Sequence, residues 1–226
     1  MKLYELVGYD TSKGFSPFAW RAKLALEHKG IEYETVPLCF TEIEKALEFA
    51  GSKTVPVLVS EGDVITDSWD IACFLEENFP DQPSLFQSRS AAKLFDFQIA
   101  KSLLMPLFRT IVGDIFNVID EKDHVYFRET REPRIGCTIE EAAETIEPSF
   151  SVFKENLWPY IEYLKLNEFI GGEVPTYQDY GLYGMFLWAR MTSPKQLIGK
   201  DDSISSWLNR MDQLFDGLGA NVTKIE

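Results

Sequence analysis

Short strand-like and helix-like segments alternate through the first 80 residues, and this order limits the choice of fold more than any other feature of the sequence. The hydrophobic and turn-residue patterns predict strands at 3–9, 32–38, 55–60 and 64–66, and helices at 16–29, 41–51 and 68–78. Helical crossovers between strands favour parallel pairing, whereas the turn residues at 61–63 favour a hairpin that adds an antiparallel edge. The sequence therefore predicts a small α/β domain with the order βαβαββα.

The predicted helix ends follow from residue types at the boundaries. Ser16 and Pro17 are suited to the N-cap and the first helical position, and Gly30 is suited to the C-terminal stop. Thr41 and Glu44 have the spacing of a capping box, which predicts the start of the second helix. With these boundaries, the order of elements within residues 1–79 is the thioredoxin arrangement.

The rest of the chain is predicted to be helical. Residues 80–88 contain two prolines among polar residues, which is typical of a linker. Amphipathic patterns beyond it predict helices at 90–120 (broken or kinked around Pro106), 139–166, 177–190 and 203–215. We therefore divide the chain into a thioredoxin-like domain (1–79), a linker (80–88) and an all-α helical bundle domain (89–226).

The composition argues against several classes of function. A net charge of −14 over 226 residues disfavours a nucleic acid or an anionic membrane surface as a partner. The three cysteines and two histidines are scattered, so we expect neither a disulfide framework nor a metal site. No segment approaches the roughly 20 apolar residues of a membrane span, and the N-terminus lacks the apolar stretch of a signal peptide. We expect a soluble, cytoplasmic protein.

Ser16 is the candidate catalytic residue, because it lies where the first strand leads into the first helix. A helix N-terminus presents free N–H groups and the positive end of the helix dipole, and both stabilise a thiolate. A serine hydroxyl forms no mixed disulfide, but it can donate a hydrogen bond to the thiolate of a bound ligand. Taken alone, the same residue is more simply explained as an N-cap before proline.

Two further pairs are candidate ligand-binding residues. Val55-Pro56 stands at the start of the third strand, where a cis bond would turn the Val55 backbone outward to pair with an extended peptide. Asp67-Ser68 opens the third helix, where the carboxylate suits an ammonium group and the serine suits a carboxylate. An edge proline in the trans form and two ordinary capping residues are the simpler interpretations of these pairs.

Together and in this order, these features resemble the glutathione transferase superfamily. The resemblance implies that Val55, before a cis Pro56, holds the cysteinyl backbone of glutathione. It also implies that Asp67 and Ser68 hold the γ-glutamyl group, while Ser16 activates the thiol. A cytosolic member of the superfamily would use glutathione as cosubstrate, without a metal, and would form a homodimer.

Longer stretches carry a narrower resemblance. The segment from Ser16 to Lys23 is similar to the bacterial β-etherase-like transferases and their fungal relatives, as are 28–30, 106–109, 186–188 and 214–218. Members of that group cleave aryl ethers by attack of glutathione. Serine in place of the cysteine of omega-type transferases favours transferase chemistry over thiol–disulfide exchange. Thr176 to Asp179 resembles the N-capping box of the superfamily's buried helix, which is a folding element.

The resemblance implies glutathione attack on a small apolar, aromatic electrophile, with simple conjugation and ether cleavage both open. We expect the electrophile pocket between the first helix and the long helix of the second domain, and its candidate residues are Phe15, Phe18, Met105, Phe108 and Arg109. Lys53 is a candidate for the glycyl carboxylate, although a lysine in this position is more often solvated. Two alternatives remain: a non-catalytic binder of glutathione or hydrophobic ligands, and a thiol–disulfide oxidoreductase, which Ser16 disfavours.

Overall fold

The computed structural model describes residues 1–199 and 203–225, and its first part is a four-stranded mixed sheet with helices. The strands are β1 (Lys2–Leu6), β2 (Glu34–Leu38), β3 (Val57–Ser60) and β4 (Asp63–Thr66), in the order β2-β1-β3-β4. The helices are α1 (Pro17–His28), α2 (Ile43–Ala46) and α3 (Ser68–Asn78). This confirms the predicted βαβαββα order and the thioredoxin-like fold.

The pairing of the strands differs from the prediction in one respect. β1 and β2 are parallel and β3 and β4 form the expected hairpin, but β3 pairs with β1 in the antiparallel sense. The connection from β2 to β3 contains only the four residues of α2 and two short 3-10 turns, at 40–42 and 48–50. It therefore lacks the long helix that usually joins parallel strands.

Most of the predicted boundaries move by a few residues. β1 ends at Leu6 rather than residue 9, and β3 begins at Val57, because Pro56 has no N–H for the strand ladder. The capping box predicted for Thr41 and Glu44 is wrong. Glu42 accepts the Cys39 N–H at 2.9 Å instead, and the Thr41 hydroxyl donates to Asp123 at 2.7 Å.

The second part is a helical bundle, as predicted. Its helices are α4 (Arg89–Ile99), α5 (Met105–Val118), α6 (His124–Ile135), α7 (Ile139–Glu144), α8 (Ile146–Leu164), α9 (Tyr177–Thr192) and α10 (Ser203–Asp212). Residues 200–202 and 226, which belong to the predicted helical domain 89–226, lie outside the described residues. In the described part of the chain, none of the helices has the length and apolar character that crossing a bilayer requires.

The predicted helix 90–120 is interrupted before Pro106, by a π-helical turn at Ala100–Leu104 that joins α4 to α5. Pro106 lacks an N–H, so the carbonyl of Ser102, four residues earlier, loses its helical partner. The side-chain amide of Asn156, on α8, donates to that carbonyl at 2.8 Å. A neighbouring helix thus compensates for the hydrogen bond that the proline removes.

The other long prediction, 139–166, divides into α7 and α8 at Thr145. Pro148 lies in the first turn of α8, and its ring is incompatible with a helical carbonyl at Glu144, where α7 ends. The sequence patterns gave no prediction of α6. The observed α10 ends at Asp212, short of the predicted residue 215.

Close helix packing joins the two parts. A Cβ atom at Gly184, on α9, would lie 2.7 Å from the carbonyl oxygen of Pro17, so only glycine permits this approach of α9 to the start of α1. A second joint is the fully buried Asp123, next to α6. Its carboxylate accepts the Phe40 N–H at 2.8 Å and the Thr41 N–H at 2.9 Å.

The predicted capping box at the start of α9 is confirmed. Asp179 is fully buried and its carboxylate accepts the backbone N–H of Thr176 at 2.9 Å. It also accepts the N–H groups of Ile170 at 2.7 Å and Gly171 at 3.0 Å, and the indole N–H of Trp207 at 2.9 Å. One carboxylate therefore orients a loop, the start of α9 and a side chain of α10.

Replacing Asp179 with Ala should lower the free energy of unfolding by about 3 kcal/mol, because several buried N–H donors lose their acceptor at once. Chemical denaturation followed by circular dichroism measures the change. Asp81→Ala, at an exposed carboxylate in the linker, is the control and should change the stability by less than about 0.5 kcal/mol. Equal stability of the two variants would show that the network does not support the fold.

Candidate active site

A cavity of about 600 Å³ opens between the start of α1, the segment before β3, and helices α5, α6 and α9. Of the residues predicted for the site, nine line it: Phe15, Ser16, Phe18, Lys53, Val55, Pro56, Asp67, Met105 and Phe108. Ser68 and Arg109 are not part of its wall. The structure thus brings both halves of the predicted site to one cavity.

Ser16 is the N-cap of α1 and is 4% exposed. Its hydroxyl oxygen accepts the N–H of Ala19 at 3.3 Å, and its carbonyl accepts the N–H of Trp20 at 3.0 Å. The turn before it is fixed by the indole N–H of Trp20, which donates to the carbonyl of Gly14 at 2.9 Å. Because the bonded oxygen acts as an acceptor, the hydroxyl proton is left to donate to a ligand in the cavity.

The first turn of α1 adds to this electrostatic environment. Pro17 has no N–H, and the Ala19 N–H is bonded to Ser16, so Phe18 carries the remaining free N–H of the turn within the described part of the chain. The positive end of the helix dipole is also located here. A negative charge placed beside Ser16 would therefore meet one hydroxyl donor and the end of a helix.

The Val55-Pro56 peptide bond is cis, and both residues border the cavity just before β3. Asp67, at the N-terminus of α3, has a left-handed backbone (φ 75°), and its exposed carboxylate accepts the N–H of Trp69 at 2.8 Å. Ser68 follows it but is buried outside the cavity wall. Asp67 thus reaches the cavity through its side chain, whereas Ser68 does not.

The two cationic residues predicted for the site, Lys53 and Arg109, differ in their surroundings. Lys53 lines the cavity, largely exposed, and its ammonium group lies 2.5 Å from the carboxylate of Glu44. The hydrogen bond to Glu44 raises the pKa of Lys53. Arg109 is half-buried on α5 and does not line the cavity, and it has no ion pair in the part of the chain that the structure describes.

Aromatic rings form much of the remaining wall. Phe108 and Trp188, from α5 and α9, are stacked with ring centroids 5.9 Å apart. Phe15 and Phe40 are 6.4 Å apart on the side of the sheet. Together with Met105, these rings make a surface suited to a flat apolar ligand.

The sequence analysis missed the contribution of α6, which places Tyr126, Phe127, Arg131 and Arg134 in the cavity wall. α6 is strongly polar, with only Phe127 and Ile135 buried, so it has little hydrophobic periodicity. The available signal was at its ends, where the acidic segment 120–123 precedes the helix and Gly136 stops it in a left-handed conformation.

No group of three or more His, Cys, Asp or Glu side chains within residues 1–199 and 203–225 is arranged to hold a metal ion. The side chains that line the cavity supply hydroxyl, carboxylate, cationic and aromatic groups.

Comparison with known families identifies the class to which this fold and cavity belong. Residues 15–78 match the N-terminal domain model of glutathione S-transferase, and residues 91–214 match the C-terminal domain model. The chain belongs to the glutathione S-transferase family.

Individual relatives are distant. The glutathione S-transferase-like protein ustS of Aspergillus flavus is 25% identical over 209 residues, covering 79% of this chain and 75% of that protein. Three further relatives are matched over about half of their length. The narrower resemblance to β-etherase-like transferases stays a prediction.

Solved structures show the same fold along nearly the whole chain. Glutathione transferase GSTFuA2 of Phanerochaete chrysosporium has a TM-score of 0.75 at 25% identity, covering 97% of this chain and 93% of that one. A glutathione S-transferase of Ceriporiopsis subvermispora, in complex with glutathione, has a TM-score of 0.79 at 20% identity, covering 95% and 97%.

An apolar aromatic ligand that enters the cavity should quench the fluorescence of Trp188, because this ring forms part of the wall. Titration of wild-type protein should give a saturable loss of emission. Trp188→Phe should abolish that part of the quenching while it keeps a ring beside Phe108. The control is Trp158→Phe, which removes an exposed indole on α8 and should leave the quenching intact. Quenching that disappears only with Trp158 would place the ligand elsewhere.

Proposed function

We propose that this chain is a glutathione transferase in which Ser16 holds the glutathione thiol as a thiolate. The thiolate then attacks an apolar, aromatic electrophile bound against the rings of α5 and α9. The observation that carries this proposal is the Ser16 hydroxyl at the N-terminus of α1. It lies in the cavity wall, where its oxygen accepts the N–H of Ala19 and its proton remains free to donate.

In the proposed complex, glutathione lies extended along Val55, whose main chain pairs with the cysteinyl residue. The ammonium of the γ-glutamyl group meets the carboxylate of Asp67. The carboxylate of the γ-glutamyl group meets the N-terminus of α3, where Ser68 contributes its backbone N–H rather than its buried hydroxyl. Lys53 is a candidate partner of the glycyl carboxylate. Its exposed pair with Glu44 leaves it free to exchange partners.

The energetic requirement on Ser16 is modest. A thiol with a pKa of about 8.5 is only a few per cent ionised at neutral pH, and lowering that pKa by about 2 units takes about 2.7 kcal/mol. A hydrogen bond to a charged group contributes about 1.5–3 kcal/mol, and a helix N-terminus adds about 0.3–1 kcal/mol. One hydroxyl and one helix end therefore suffice to make most of the bound thiol a thiolate.

In the reaction, the thiolate sulfur forms a bond to an electrophilic carbon. When that carbon carries a leaving group, the carbon–halogen or carbon–oxygen bond breaks and the halide or aryloxide departs with the electron pair. Water then supplies the proton that an aryloxide requires. The cavity holds the ring of the electrophile close to the sulfur. A bimolecular step thereby becomes an effectively unimolecular one. Ether cleavage and displacement of a halide differ only in this leaving group.

Ser16→Ala should raise the apparent pKa of bound glutathione by about 1–2 units and lower kcat about 10- to 100-fold at neutral pH. The affinity for glutathione should change little, because Val55 and Asp67 are untouched. Thiolate absorbance in the ultraviolet measures the pKa, and calorimetry measures the affinity. An unchanged pKa would mean that another group activates the thiol.

Two controls separate chemistry from folding. Ser88→Ala removes the N-cap of α4, which accepts the Ala91 N–H at 3.3 Å in the same way, yet lies away from the cavity and should leave turnover unchanged. Ser16→Thr keeps both the cap and the hydroxyl and should retain most activity. A wild-type protein that binds glutathione without lowering its pKa would instead be a non-catalytic binder.

Ser16→Cys should introduce thiol–disulfide exchange that the native protein lacks, because the helix N-terminus stabilises a cysteine thiolate as well. Reduction of a glutathione mixed disulfide by the variant, followed against wild-type protein, tests this. A wild-type rate equal to that of the variant would favour an oxidoreductase over a transferase.

Two further expectations belong to this proposal. Because members of the family typically form dimers, we expect a homodimer to be the active form. The scattered cysteines are consistent with a reducing cytoplasm. Sedimentation of the purified protein tests the first.

A further inference from the structure

The arginines of α6 differ in how their charge is balanced. Arg128 lies 3.0 Å from the carboxylate of Glu132 and 2.5 Å from that of Glu140. Arg131 and Arg134 line the cavity, and neither forms an ion pair with a carboxylate among residues 1–199 and 203–225. Two neighbouring cations of the cavity wall are therefore without an acidic partner in this part of a chain whose net charge is −14.

Arg131 is also held in place. Its guanidinium carbon is 4.9 Å from the ring centre of Phe40 and 5.5 Å from that of Phe127, and one N–H donates to the hydroxyl of Thr130 at 2.7 Å. Burial and the nearby Arg134 lower the pKa of Arg131. Such a side chain stays protonated, so its positive charge is present in the wall of the cavity that it lines.

The other charged groups of the cavity wall already have partners. Lys53 is paired with Glu44, and Asp67 accepts the Trp69 N–H at the opposite, α3 side. The wall therefore has an unbalanced positive charge only at its α6 side. Guanidinium groups favour planar, bidentate anions, of which a carboxylate is the simplest organic example.

We propose that Arg131 and Arg134 bind a carboxylate carried by the second substrate, so that the electrophile is an aromatic acid rather than a neutral arene. This inference rests on the proposed transferase function and narrows its substrate class. Glutathione itself offers a glycyl carboxylate as an alternative source of the same chemistry. The second substrate is favoured because α6 belongs to the helical side of the cavity, where Phe108 and Trp188 form the wall proposed for the aromatic electrophile.

The test uses a matched pair of activated aryl chlorides, 4-chloro-3,5-dinitrobenzoate and the corresponding benzamide. In both, the thiolate forms the carbon–sulfur bond at C4 and chloride leaves with the electron pair. The measured quantity is kcat/KM for the acid divided by kcat/KM for the amide, each corrected for the uncatalysed rate. The ratio cancels any general loss of activity.

Arg134→Gln, at an exposed position, and Arg131→Gln should each lower that ratio about tenfold, because the acid loses an ionic contact that the amide does not make. Arg131→Lys, which retains the charge without the planar donor pair, should lower it less. The matched control is Arg128→Gln, which removes an arginine from the same helix outside the cavity wall and should leave the ratio unchanged.

Binding measurements decide between the two sources of the carboxylate and do not depend on turnover. Calorimetry compares benzoate with benzamide probes, and glutathione with its glycyl ethyl ester, in wild-type protein and in Arg134→Gln. The proposal requires that the variant loses affinity for the benzoate alone. Loss of affinity for glutathione but not for its ester would overturn it and assign the arginines to the glycyl group.

Failure of the transferase function has a separate signature. In that case neither chloride is conjugated, while the benzoate still binds more tightly than the benzamide and depends on Arg134. An acid-to-amide ratio that is the same in wild-type protein, Arg131→Gln and Arg134→Gln, with equal binding of the two probes, would refute the carboxylate site.

Discussion

The architecture of the cavity depends on the close contact between the start of α1 and α9. Gly184 lets the α9 backbone approach the carbonyl of Pro17, and the buried carboxylate of Asp179 fixes the N-terminus of α9. The serine at the N-cap of α1 is therefore supported from the helical side as well as from the sheet. Trp188, on the same helix α9, is placed opposite the ring of Phe108. One helix thus supports Ser16, the proposed hydrogen-bond donor to the thiolate, and also forms part of the apolar wall.

The two ends of the cavity have different physical characters. The sheet side offers hydrogen-bonding groups at Ser16, Val55 and Asp67, which suit a peptide with charged ends. The helical side combines stacked rings with two arginines that lack acidic partners. Because the cavity is shared between the two parts of the chain, neither part alone contains a complete site. In the proposed complex, glutathione would occupy the sheet side and the electrophile the helical side.

Sequence reasoning was most successful where local chemistry fixes the backbone. The order of strands and helices, the cap at Ser16 and the box from Thr176 to Asp179 all depend on residues close together in the chain. It failed where distant partners decide. The antiparallel direction of β3 is seen only in its pairing with β1, which lies more than 50 residues earlier in the chain. Helix α6 packs few apolar side chains and is fixed in part by hydrogen bonds from Phe40 and Thr41 to Asp123, 83 and 82 residues away. The two arginines were missed with the helix that carries them.

The hydrogen bond from Asn156 to the carbonyl of Ser102 has an evolutionary consequence. It stabilises the irregular turn from which α5 departs, and so it affects where Met105 and Phe108 enter the cavity. Asn156 itself is not among the residues that line the cavity. Changes at this position can therefore alter the shape of the apolar wall without changing any residue that lines the cavity. Divergence in substrate preference between related proteins need not be visible among the residues that contact a substrate.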